Sequence, residues 1–102
     1  MEQKFILTHD GHLRFGVVRL HRHLLQPGDV CMGGGYYDFD YTSGTMVLSR
    51  SSYDYGPPRW DTLADNRLIL PREYAGMRLV YHPENHYETA VNIMRQFTLS
   101  YE

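Results

Sequence analysis

Apolar and polar residues alternate with period two along much of this chain, the spacing of strands that bury one face. "QKFIL" is a β-prone run stopped by the turn signal "HDG". Next, Leu13, Phe15 and Val17 alternate with His12, Arg14 and Gly16. The alternation drifts at "VVRLH", which predicts a bulge or bend near Gly16. "RHLLQPGD" reads as one helical turn broken at Pro27-Gly28. In "YYDFDYT", Tyr37, Phe39 and Tyr41 face one way and Asp38 and Asp40 the other. The turn Thr42-Ser43-Gly44 follows, and "TMVLSRSS" returns, so residues 36–41 are expected to pair antiparallel with residues 45–51. "PPRWDTLADN" is placed for a short helix, "GMRLVYH" for a strand and "ENHYETAV" for a loop. "NIMRQFTLSY" reads as a closing strand with Ile93, Arg95, Phe97, Leu99 and Tyr101 on one face. The expected fold is α+β, one domain over residues 1–102, with about six mainly antiparallel strands and one or two short helices.

Composition narrows the class. Of 102 residues, 42% are hydrophobic and 22% charged, which suits a globular chain with a thin core and excludes disorder. Nine tyrosines and one tryptophan favour strands over helices. The net charge of -2 gives no basic field, so neither nucleic acid nor a membrane surface is an expected partner. The single Cys31 permits no intrachain disulfide, in keeping with a reducing compartment. No apolar run approaches the roughly 18 residues of a membrane span, and the apolar stretch near the start is too short for a signal peptide. A cytoplasmic protein is expected. Its oligomeric state cannot be read from the sequence.

Six histidines invite a metal reading: His9 and His12, His21 and His23, His82 and His86. His21 and His23 would share a face if the strand ran on through them. There is no HExxH, no cysteine pair and no helix to present them, so no metal and no cofactor are expected. Asp38 and Asp40 lie about 7 Å apart by strand rise. Such a pair can do acid–base work, but a solvated sheet face is the simpler reading. Arg50, Arg59, Arg67, Arg72 and Arg78 are scattered, without the interleaved aromatics of a nucleic-acid platform. The triplet Gly33-Gly34-Gly35 is either a weak phosphate signal or a place where another backbone comes close.

The order "VCMGGG", strand pair, "SSYDYGP" resembles the core of the Janus/ocnus family of protein histidine phosphatases. In that family a Cys-x-Gly-Gly-Gly segment precedes a strand pair ending in Ser-x-x-Tyr-Gly-Pro. The matching residues here are Cys31 and Gly33 to Gly35, then Ser52, Tyr55, Gly56 and Pro57. "VVRLH" is similar to the strand that carries the family's catalytic histidine, with His21 in that place, and Lys4 resembles the lysine that opens the first strand. The resemblance spans residues 3 to 82 and is most specific over 31 to 57. Tyr36 stands where the family has a phosphate-holding arginine, and Asp54 where it has a small residue. The connection between the first two strands is shortened to "THDGHLR", and the helix after the histidine is reduced to "RHLLQPGD".

The resemblance implies a phosphohistidine phosphatase-like fold and metal-independent hydrolysis of a phosphohistidine or other phosphoramidate. His21 would be the general base, with a covalent phosphohistidine as the other route. Lys4, Ser52, Tyr53 and Asp54 would bind phosphate, the backbone N–H groups of residues 52–54 forming an anion nest. Gly33, Gly34, Gly35 and Gly56 would be structural turn residues. The partner would be a phosphorylated protein or a small phosphoramidate. Two other readings stand beside this one. The first is a phosphate-binding module without turnover. The second is a structural or interaction protein using "YYDFDY" as an exposed face or dimer edge.

Overall fold

The computed structural model describes residues 1–84 and 90–102. A six-stranded sheet is ordered β2-β1-β3-β4-β6-β7, from β1 (Glu2–Thr8), β2 (Leu13–Val18), β3 (Cys31–Asp40), β4 (Thr45–Ser49), β6 (Arg78–His82) and β7 (Val91–Asn92). A second sheet pairs β5 (Arg67–Leu70) with β8 (Thr98–Tyr101). The pairs β1–β2, β1–β3, β3–β4 and β6–β7 are antiparallel, whereas β4–β6 and β5–β8 are parallel. Helix is confined to single turns: 3-10 turns at His21–Leu24, Trp60–Thr62, Ala64–Asn66 and Arg72–Tyr74, and α1 at Ile93–Gln96. The α+β class and the mainly antiparallel sheet are as expected.

Period two decides the layers. Phe5, Leu7, Leu13, Tyr37, Met46, Leu48, Leu79 and Tyr81 point to one face of the large sheet and form the core with Leu68 and Leu70 of β5 and Ile93 of α1. Aromatic rings interlock there: Trp60 lies 6.4 Å from Phe5, 5.5 Å from Tyr81 and 5.9 Å from Phe97. Burying each such large side chain stabilises by about 1.5–3 kcal/mol. The opposite face carries Lys4, Tyr36 and Ser49 in one cross-strand row. The His21–Leu24 turn packs on that face, over β1 and β2, so β1 is buried on both sides from Lys4 to Thr8. That double burial explains why "KFILT" reads as a continuous apolar run rather than an alternation.

The hairpin forms as expected, in register from Tyr36↔Ser49 to Asp40↔Thr45. Four expectations are corrected. No bulge falls at Gly16, because β1 and β2 pair without interruption from Glu2↔Val18 to Leu7↔Leu13. Gly16 instead makes room for Leu24, whose Cδ2 lies 2.9 Å from where a Cβ would stand. The irregularity is in the β1–β3 ladder, between Ile6 and Thr8. His21 and His23 do not continue a strand, since they sit in a 3-10 turn. Ile93 to Gln96 are helical, so the closing strand is only Thr98–Tyr101; Ile93 plugs the core by turning inward, which alternation alone did not signal. Finally, "RLIL" forms β5, making eight strands among the described residues against about six expected. The expected loop "ENHYETAV" falls largely on residues 85–89, outside the described residues.

Candidate functional site

Gly33, Gly34 and Gly35 lie inside β3, not in a turn. A side chain on any of them would strike backbone. A Cβ on Gly33 would meet the Pro57 carbonyl, one on Gly34 the Phe5 carbonyl and one on Gly35 the Ser49 carbonyl. Gly33 also has φ +102°, a conformation open to glycine. The triplet therefore lets three chain segments converge: β1, the end of β4 and the 52–58 turn. Ser52 donates its N–H to Gly34 O at 2.8 Å, and Gly34 N–H donates to Gly56 O at 3.1 Å. The turn then closes on itself, Gly56 N–H to Ser52 O at 2.9 Å and Tyr55 N–H to Ser52 Oγ at 3.2 Å. Gly56 is the turn glycine of this group, with φ +74°.

His21 is 3% exposed, and its Nε2 lies 2.7 Å from the Gly35 carbonyl oxygen. A carbonyl only accepts, so Nε2 carries the proton and Nδ1 holds the lone pair of the neutral ring. Burial lowers the His21 pKa below its ordinary value and the Lys4 charge acts in the same sense. The Gly35 hydrogen bond and the Asp54 and Glu2 carboxylates oppose them. Lys4 is 7% exposed; its Nζ donates to Val18 O at 2.9 Å and has no carboxylate partner among the described residues.

Tyr36 is the hub. Its ring lies edge-on to His21 at 5.2 Å, with Lys4 Nζ 5.8 Å and the Arg50 guanidinium 3.9 Å from its centroid. Arg50 reaches the ring because its own backbone turns left-handed, at φ +64°, where β4 ends. Its carbonyl is held by the Tyr81 hydroxyl at 2.8 Å, and its guanidinium pairs with Glu2 at 3.3 Å. A cleft of about 310 Å³ opens here, lined by Glu2, Tyr36, Asp38, Ser49 and Arg50 among others.

Lys4, His21, Ser52 and Asp54 thus group around the Gly34-Gly35-Tyr36 stretch of β3. Two details differ from the sequence reading. The Ser52 N–H is spent on Gly34, so an anion nest there would keep only the N–H groups of Tyr53 and Asp54, with the Ser52 hydroxyl proton beside them. Tyr53 projects its side chain to solvent, 96% exposed. Arg50 was not singled out by sequence: nothing in "LSRSS" signals a left-handed arginine. Asp38 is exposed in the cleft and Asp40 caps Thr42 N–H at 3.0 Å, as suits a solvated face and a turn. His9 Nδ1 accepts Val30 N–H at 3.2 Å while His12 turns to Asp10. No three His, Cys, Asp or Glu side chains gather as a ligand set among the described residues.

Fold and site together define an α+β protein with one covered sheet face and, on the other, a cation–aromatic–imidazole cluster. No family model matches the chain, and neither a curated protein nor a solved structure matches it. No helix among the described residues is long and apolar enough to cross a membrane.

Proposed function

We propose that this cluster binds the phosphoryl group of a phosphorylated protein or small phosphoramidate and hydrolyses its P–N bond, in the manner of the histidine phosphatases the sequence resembles. The observation that carries the reading is Lys4: a buried amine with one hydrogen bond, no carboxylate partner, and an imidazole close enough to feel its charge. A lysine has three donors, so two remain for phosphate oxygens, with Arg50 a second cation across the Tyr36 ring. His21 Nδ1 would take a proton from water as the new P–O bond forms. The P–N electron pair would pass to the leaving nitrogen, which takes a proton from the imidazolium or from solvent. The scheme calls for no metal or cofactor.

Asp54 favours a second reading, phosphate binding without turnover, because its carboxylate acts on the same imidazole and repels phosphate. The deciding experiment is hydrolysis of phosphohistidine or phosphoramidate by the purified protein. Loss of the base should cost about 10²–10⁴-fold, so His21→Ala should be silent. Ser52→Ala should retain more activity, because the backbone donors around it remain. Saturable phosphate binding without turnover would establish the second reading; absence of both would overturn the two together.

A further inference from the structure

The geometry points to a second recognition site, unrelated to the phosphate cluster: the free edge of β2 accepts an extended peptide from another protein as an added strand. β2 ends the sheet order, so one side of its backbone has no strand partner along most of its length. Hydrogen-bond parity identifies the groups involved. Thr8 N–H donates to His12 O and His12 N–H to Thr8 Oγ1, so His12 points inward to β1. Backbone direction alternates along a strand. Arg14, Gly16 and Val18 therefore also bond inward, and Leu13, Phe15 and Val17 turn their N–H and C=O groups outward. An independent contact agrees: the bridge between His12 and Ile69 runs on this outer side, with Ile69 N–H donating to Gly11 O at 2.8 Å.

After that single bridge the two sheets diverge. The next residue of β5's chain facing β2 is Pro71, which has no N–H to offer. β5 therefore cannot extend the ladder, and a groove of about 420 Å³ opens along β2. Phe15, Leu70 and Pro71 line it together with Arg14, Leu24 and Leu25. That volume holds the backbone of about three extended residues at the 3.2–3.4 Å rise of a strand. The edge carries little of the protection that native sheets use: it has no proline, its arginine is engaged by Asp29 at 2.9 Å, and Val17 is 55% exposed. Among the lining side chains His12, Arg14 and His23 face a single acid, Glu102. A peptide alternating apolar and acidic residues suits both the apolar wall and this charge balance, and strand addition is an established mode of peptide recognition.

The test uses a blocked eight-residue peptide of alternating valine and glutamate, added to the full chain. Amide exchange should slow at Phe15 and Val17 and stay unchanged at Arg14 and Gly16. N-methylation of every valine or of every glutamate should abolish binding in one series and spare it in the other, because only alternate peptide N–H groups face β2. Val17→Pro deletes an outward donor without touching the β1 ladder, so the protein should stay folded and bind about tenfold more weakly. Loss in both methylated series, or in neither, would overturn the proposal. So would protection of Phe15 and Val17 that appears with protein concentration alone, which would assign the edge to a second copy of this chain.

Discussion

His21 joins the chemistry of the site to its electrostatics. Its ring is fixed by Gly35, pushed toward neutrality by burial and by Lys4, and pulled back by Asp54 and Glu2. A base works in its unprotonated form, so activity should rise with pH through the His21 titration. The acid limb of kcat/KM should then fall below the ordinary 6.5. Asp54→Ala removes a carboxylate that raises this pKa and repels phosphate. It should move the limb further down and tighten inorganic phosphate binding by about fivefold, the scale of one like-charge repulsion near 1 kcal/mol. Titration calorimetry with phosphate and a pH–rate series check both; an unmoved limb would mean that another group is the base. Lys4, His21 and Ser52 were legible because each belongs to a motif with fixed spacing. Arg50 was not, because its role rests on a left-handed backbone that tertiary contacts impose on a non-glycine residue.

Among the elements, β3 carries the heaviest constraint. Its three glycines are spaces for neighbouring backbone, so the opening of the strand is specified by what crosses it. Gly34→Ala should force β1 and β3 apart at Phe5 and destabilise by about 1–3 kcal/mol, the range of an overpacked core. At 4–8 °C per kcal/mol for a domain of this size, the Trp60 fluorescence melt should move down by at least several degrees; an unchanged Tm would show that the ladder yields there. The hairpin of β3 and β4 was readable because its signal is local, a clean alternation around Thr42-Ser43-Gly44. α1 and β5 were not: four residues each, they carry too few periods to separate a strand from a helical turn, and tertiary burial of Ile93, Leu68 and Leu70 decides their form.

For the molecule as a whole, the same groups set its response to acid. The native pKa of His21 is depressed, so unfolded chains bind more protons than native ones in the interval below 6.5. Its contribution to stability is complete above that value and is lost as pH falls through the native pKa. A second loss should follow near pH 4 to 2. Hydrogen bonding from Thr8, and then from His12, holds Asp10 near about 2 against burial, and Arg14 holds Asp29 below the usual 3.8. Urea midpoints between pH 8 and 2 should therefore fall in two stages, and His21→Gln should erase only the first. The covered face of the large sheet was legible from period two. The second sheet was not, since a parallel β5–β8 pair leaves no trace in local spacing.

That parallel pair also dictates an order of events in folding. The β1–β2 and β3–β4 ladders join neighbouring segments, whereas β5–β8 ties Leu68 to Leu99 across a long closed loop whose entropy must be lost before any contact forms. The hairpins are the natural nucleus, and the second sheet docks after the barrier. Stopped-flow mixing on Trp60 fluorescence should show Leu99→Ala speeding unfolding with refolding little changed, and Leu48→Ala slowing refolding. The reverse pattern would mean that the most distant contact forms first.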